Sequence, residues 1–153
     1  MTTGLVIERE DPHTPEAKAL LEASHALMQE LFTPDANHFL SLDALAAPDI
    51  AFFVARLDGR AVGCGALAIR DGYGEIKSMF VDPDTRRAGV AAGLIGRLEA
   101  EAIVHRLEFL RLETGDLLHA AVALYERLGF SIRGPFGPYS EHPNSVFMEK
   151  RLT

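Results

Sequence analysis

Residues 50–81, IAFFVARLDGRAVGCGALAIRDGYGEIKSMFV, hold three β-rich runs in succession, parted by Asp58-Gly59 and by DGYG at 71–74. Asp-Gly between apolar runs is a strong hairpin signal, because these residues tolerate the backbone conformations a two-residue turn needs. Strands joined by such short turns lie side by side in one sheet. No other stretch constrains the fold as much, since every other element must extend that sheet or cover it.

The flanking segments supply both kinds of element. GLVIER at 4–9 reads as a first strand. A helix follows, with Thr14 as cap and Pro15 at its first position. Ala17, Leu20, Leu21, Leu27, Met28 and Leu31 keep helical spacing on one face of it. Residues 33–41 are loop-like, and Ser41 caps a short second helix. After the meander, residues 89–106 read as a helix with Leu94, Ile95, Leu98, Ala102 and His105 on one side. LEFLRLE at 107–113 reads as a strand, and 117–129 as a helix closed by Gly129. FSIR, a Gly/Pro loop and SVFMEK complete the chain. The order β α α β β β α β α β β predicts an α/β (α+β) fold: a mixed, mostly antiparallel sheet of about seven strands with helices on both faces. With 153 residues, 48% of them hydrophobic, and no repeat or linker, residues 1–153 are expected to form a single domain.

Composition removes several classes of function. Cys64 is the one cysteine, so no disulfide within the chain and no cysteine-based zinc site is expected. His13, His25, His38, His105 and His142 have no metal-like spacing, and no metal is expected. The segment MTTGLVIERE has no signal-peptide pattern, and no apolar run nears the ~18 residues of a membrane span. No membrane association and a cytoplasmic location are therefore expected. The formal net charge of −7 disfavours nucleic acid as a partner and tolerates a cationic substrate.

Two glycine-rich stretches compete as binding loops. Gly63-Cys64-Gly65-Ala66-Leu67-Ala68 fits G-x-G-x-x-A, a dinucleotide pattern that works only between a strand and a helix. Here it lies inside a strand, so its small residues are read as room for a neighbouring element. Arg86-Arg87-Ala88-Gly89-Val90-Ala91 does follow a strand and open a helix. The first amides of a helix lack intrahelical partners and carry the positive end of its dipole, which makes an anion site. Without Gly-Lys-Ser/Thr this is no Walker loop, so the expected anion is a pyrophosphate held by amides with arginine alongside. The other reading is an ordinary helix start with solvent-facing arginines.

Val81-Asp82-Pro83-Asp84-Thr85-Arg86-Arg87-Ala88-Gly89-Val90-Ala91 resembles the acetyl-CoA signature V-x-P-x-x-R-x-x-G-x-A of the GCN5-related N-acetyltransferase (GNAT) family. Ala123-Leu124-Tyr125-Glu126-Arg127-Leu128-Gly129-Phe130 is similar to its A-x-L-Y-x-x-x-G-F segment, shifted slightly. The element order agrees over nearly the whole chain. EIKSMFV, RLETG and PFGPY…SVFMEK resemble a bacterial subgroup of mostly unassigned substrate. The resemblance implies an N-acetyltransferase that uses acetyl-CoA as co-substrate and a small-molecule primary amine as acceptor, by direct attack in a ternary complex. A homodimer is compatible with it.

The resemblance also implies residue roles. A bulge near residues 79–81 would splay that strand from the one at 107–113. Pantetheine would pair there with the backbone of Met79 and Val81, and Phe80 backbone would meet the oxyanion. Amides of Arg87, Ala88, Gly89, Val90, Ala91 and Ala92 would hold the pyrophosphate, with Arg86 in the basic position of the motif; Arg87 could instead face solvent. Tyr125 would face the cofactor sulfur and donate to the leaving thiolate; as a residue alone it could equally be a core ring. Glu75 is the candidate base through a water, or else a surface ion pair with Lys77. His119 is a weaker candidate base. Family members often carry asparagine where this chain has residues 114–118, so cofactor contacts there are not carried over. Phe39, Phe136 and Tyr139 are candidate walls for the acceptor, or ordinary packing. The alternatives in function are a non-catalytic acyl-CoA-binding or sensing module, and transfer to a protein N-terminus or lysine.

Overall fold

Asp58 and Gly59 take φ of 52° and 87°, the paired positive values of a tight hairpin, so the meander begins as the sequence predicts. The protein was analysed as a computed structural model that describes residues 4–32, 40–85 and 89–152. The elements are β1 (Leu5–Arg9), α1 (Pro15–Leu31), α2 (Leu42–Leu45), β2 (Ile50–Leu57), β3 (Arg60–Ile69), β4 (Tyr73–Val81), α3 (Val90–Val104), β5 (Phe109–Gly115), α4 (His119–Arg127), β6 (Ser131–Arg133) and β7 (Ser145–Arg151). The strands form one sheet in the order β1-β2-β3-β4-β5-β7-β6. Among the described residues, only β4 and β5 pair in parallel. A parallel pair needs a crossover, and α3 supplies it.

Helices cover both faces because the strands alternate. Ala51, Phe53 and Ala55 of β2 pack with Leu94, Ile95 and Leu98 of α3. Phe52 and Val54 pack with Leu20 and Leu21 of α1 and Leu45 of α2. α1 starts as expected: Thr14 Oγ1 accepts from the Ala17 amide at 3.3 Å, with Pro15 at the first position. Its first half is buried through Ala17, Leu20, Leu21 and Ser24. Leu27, Met28 and Leu31, on the same expected face, are only half-buried, because the helix runs past the sheet to wall a cavity. The stretch 63–68 lies inside β3, where a Cβ on Gly63 would stand 3.0 Å from Val90 and 3.2 Å from Leu94. Its small residues make room for α3. Cys64 is fully buried, donates to the Ser78 carbonyl at 3.3 Å, and has its thiol pushed up to about 12 by burial. It stays a thiol.

His105 departs from expectation. It is exposed, with Nε2 3.2 Å from Glu101, and does not join the apolar face of α3. The helix stops at Val104, and Arg106 turns the chain with φ of 58° so that Leu107 enters the core. β5 accordingly starts two residues later than the sequence suggests and runs to Gly115.

The core sets the stability. Phe53 is fully buried, with the Arg97 guanidinium 4.5 Å above its ring. Phe53→Ala is expected to cost about 3–5 kcal/mol, from lost burial and the cavity left behind. Urea denaturation checks this; a loss below about 1 kcal/mol would mean that the α3 side of the sheet is not tightly packed.

Candidate active site

One extra residue in β4 shapes the site. Cys64 pairs with Phe80 but Ala66 with Lys77, so Ser78 and Met79 together oppose Gly65. Ser78 takes φ of 55°, and such a bulge bends the strand that carries it. Pairing between β4 and β5 ends at Ile76 and Leu112, although β4 continues to Val81 and β5 to Gly115. The strands part, as the family resemblance implies. Backbone of Met79, Phe80 and Val81 therefore borders an opening that no ladder fills.

Two cavities adjoin this opening. A cleft of about 710 Å³ is lined by Met79, Phe80, Val81 and Thr85, by the start of α3, and by Leu124 and Arg127 of α4. A smaller cavity of about 130 Å³ is lined by Met28 and Phe32 at the end of α1, by Ser78, by Glu113 and by Leu118. Met79, Ala121 and Tyr125 line both. Tyr125 thus sits where the two spaces meet.

The start of α3 has the features of an anion cradle. Gly89 is its N-cap, with φ of 78° and no side-chain cap bond. The first i→i−4 bond runs from the Gly93 amide to Gly89 at 2.9 Å, so the amides of Val90, Ala91 and Ala92 precede the ladder. A Cβ on Gly89 would meet nothing within 4 Å, so backbone faces open space there. Gly89, Val90, Ala91 and Ala92 all line the large cleft. Arg86, Arg87 and Ala88 lie outside the described residues. Arg127, which sequence reasoning assigned no role, adds a cation to the cleft from the last turn of α4.

Tyr125 is buried, with its ring edge-on to Phe130 at 5.5 Å between centroids. Burial holds its phenol well above the ordinary range. It therefore keeps its proton at any working pH, which suits a hydrogen-bond donor better than a full acid.

Glu75 is placed differently from either sequence reading. It pairs with Lys77, whose Nζ is 3.4 Å away, but the pair is buried, with Glu75 only 3% exposed. Tyr139 donates a short hydrogen bond to its Oε2, and Lys77 also donates to the Tyr139 oxygen at 2.7 Å. Arg70 stands 3.9 Å away. Burial and this bond to Glu75 hold the Tyr139 phenol far above its ordinary range. The Glu75 carboxylate is saturated by these partners and lines neither cavity.

Other expected groups sort in the same way. His119 is exposed and lines neither cavity. Phe136 and Tyr139 pack edge-on with each other, and both pack with Phe147, so they support the sheet without walling the acceptor side. Phe39 lies outside the described residues. Thr114, Gly115 and Leu118 line the small cavity and not the large cleft. No group of three potential metal-ligating side chains occurs among the described residues.

Sequence reasoning missed Glu113. It lines the small cavity, and Ser145 donates to its Oε2 at 2.9 Å. Burial pushes its carboxyl up to about 7, against the lowering effect of the Ser145 bond and of Lys77; Glu75 pushes it further up. Its only sequence signal is alternation with Arg111 in LEFLRLE, which reads as a polar strand face.

The raised pKa has a sign that stability measurements can read. In the fold Glu113 holds its proton to about pH 7, whereas the unfolded carboxyl loses it near 4.5. Its contribution to stability is therefore full below pH ~4.5 and lost as pH rises through about 7. Glu113→Gln cannot ionise and should escape this loss. Thermal melts from about pH 4 to about pH 9 should show the variant gaining on the wild type across that window, by on the order of 3 kcal/mol, and running parallel above it. A constant difference would place Glu113 in a solvated setting.

The family model described as "Acetyltransferase (GNAT) family" matches residues 17–130. An "IAA acetyltransferase" of Azospirillum brasilense is 45% identical over 97% of this chain and 99% of its own. An N-acetyltransferase of Bacillus subtilis, YsnE, itself uncharacterized, is 42% identical over 78% of this chain and 81% of its own. Among solved structures, a Klebsiella pneumoniae protein described as an acyl-CoA N-acyltransferase superposes with a TM-score of 0.82 at 36% identity, covering 97% of this chain and 98% of that one.

Proposed function

Because the chain belongs to the GNAT acetyltransferase family, we propose that it moves an acetyl group from acetyl-CoA to a small-molecule primary amine by direct attack in a ternary complex. The observation that carries this reading is the meeting of two spaces at Tyr125. One is a large cleft ending on free helix amides, the other a small chamber with a carboxyl wall. A module that only bound or sensed acyl-CoA would need the first and not the second.

Acetyl-CoA enters this reading as a co-substrate whose parts match the cleft. Its pyrophosphate would lie on the amides of Gly89, Val90, Ala91 and Ala92, with Arg86, Arg87 and Ala88 completing the loop. Its pantetheine would pair with the backbone of Met79 and Val81, which β5 leaves open. The amine would come from the small cavity and attack the thioester carbonyl. Backbone at Phe80 would donate to the developing oxyanion, and Tyr125 to the departing thiolate. Glu75, the expected base, is held by Lys77 and Tyr139 behind the cavity wall and would support the site from there.

Magnitudes favour a cooperative cradle. A charge-assisted hydrogen bond contributes roughly 1.5–3 kcal/mol and the helix dipole perhaps 0.3–1 kcal/mol. Micromolar affinity requires about 8 kcal/mol. Three or four amides with apolar contacts along the cleft reach that figure. The net charge of −7 does not prevent it, since charges beyond about 8 Å are largely screened. Calorimetric titration with acetyl-CoA and with CoA tests the reading. Affinity near micromolar for both is expected; no heat of binding from either would overturn it.

A further inference from the structure

The small cavity contains one carboxyl that neither sequence motif accounts for. Glu113 is the first residue of β5 beyond its last partner on β4, Leu112 opposite Ile76. It therefore stands at the point where the strands part, in the same cavity wall as Tyr125. Ser145 Oγ fixes its Oε2 at 2.9 Å. The neighbouring carboxylate, Glu75, is committed to Tyr139 and Lys77 and does not reach the cavity. We propose that Glu113 is the group that takes the ammonium proton from the acceptor, and that the Glu75–Lys77–Tyr139 cluster is its positioning and tuning support. This rests on the acetyl-transfer reading above.

The step balances simply. The acceptor ammonium gives one proton to the Glu113 carboxylate and becomes a neutral amine. Its nitrogen lone pair forms the C–N bond to the thioester carbonyl. The C–S bond breaks, and the second nitrogen proton passes to the thiolate, giving amide and free thiol. Glu113 then returns its proton to water, so one proton is released per turnover.

The groups around Glu113 set when it can act. Glu75 and Lys77 face it from β4, Tyr139 and His142 from residues 134–144, Ser145 from β7 and Tyr125 from α4. The α1 wall, Ser24, Met28 and Phe32, brings no charge. With its carboxyl near 7, Glu113 is well matched to an amine near pKa 8, the value of an α-amine. A lysine-like amine near 10.4 would give up its proton about 250-fold less readily.

The test is the pH profile of thiol release from acetyl-CoA, with glycinamide and with n-butylamine as acceptors. The wild type should show an acid limb near pH 7 at the same position for both amines, and turn over glycinamide at least about tenfold faster at neutral pH. Glu113→Gln should lose that limb and roughly 10²–10⁴-fold of the rate, with acetyl-CoA affinity by calorimetry unchanged. Glu75→Gln should keep the limb but move it to lower pH, because the repulsion that raises Glu113 is gone. Should Glu113→Gln not fold, Glu113→Asp serves, with the limb kept and the rate reduced. A wild-type limb and rate in Glu113→Gln, or an undiminished rate in Glu113→Asp, overturns this assignment and leaves acetyl transfer standing. Thiol release from neither amine by a wild type that binds acetyl-CoA overturns the transfer reading and this proposal with it.

Discussion

Gly89→Asp is expected to weaken acetyl-CoA binding at least about 100-fold, a loss of about 2.8 kcal/mol or more, while leaving the fold intact. The two halves of that expectation have separate causes. Gly89 has φ of 78°, and aspartate is among the few L-residues that adopt such a conformation with modest strain. Its Cβ would enter open space. A carboxylate beside this helix start also complements the dipole. That same carboxylate then occupies the place proposed for the pyrophosphate, satisfies its donors and repels it. Stability should fall by only about 1–2 kcal/mol, the strain of a side chain at this φ, while affinity is lost. Calorimetry of the variant beside its thermal melt reads both. Full affinity in a folded Gly89→Asp would mean that α3 merely begins at residue 90 and that the anion binds elsewhere.

Tyr125→Phe is expected to lower kcat roughly 10²–10³-fold with acetyl-CoA affinity unchanged. That is the effect usually seen when one donor to a developing negative charge is removed. Phenylalanine keeps the edge-on contact with Phe130 and the packing of α4 on the sheet, so stability should change by no more than about 1 kcal/mol. Because burial holds the phenol far above its ordinary range, no alkaline limb below about pH 10 should belong to it. Steady-state kinetics on wild type and variant check this. An unchanged kcat would return Tyr125 to the role of a core ring.

Much of the scaffold was legible because its signals are local. Asp58-Gly59 specifies its turn within two residues, Thr14-Pro15 specifies the start of α1, and Gly89 marks the start of α3. The parting of β4 and β5 was legible only through family resemblance, since it depends on how Ser78 and Met79 register against Gly65 across the sheet. His105 was misplaced because helical periodicity continues on paper past the point where Arg106 turns the chain. The acceptor side was least legible. Glu75 read as a candidate base or a surface ion pair with Lys77, and its burial was hidden because Tyr139, which donates to it, arrives from 64 residues away. Glu113 looked like any charged residue on an alternating strand until β5 was set in parallel beside β4, with its own side chain just past the last pair. Met28 read as part of the apolar face of α1, and its place in a cavity wall with Phe32 depends on where the end of α1 meets Glu113 and Tyr125.

The measurement that tests acetyl transfer most directly is release of free thiol from acetyl-CoA on mixing with primary amines, followed beside the N-acetylated product by mass spectrometry. Thiol and N-acetyl product should appear together in equal amounts, and Gly89→Asp should need at least about 100-fold more acetyl-CoA to form them at the wild-type rate. Tight acetyl-CoA binding with no product from any amine would contradict acetyl transfer and leave a protein that only holds the thioester.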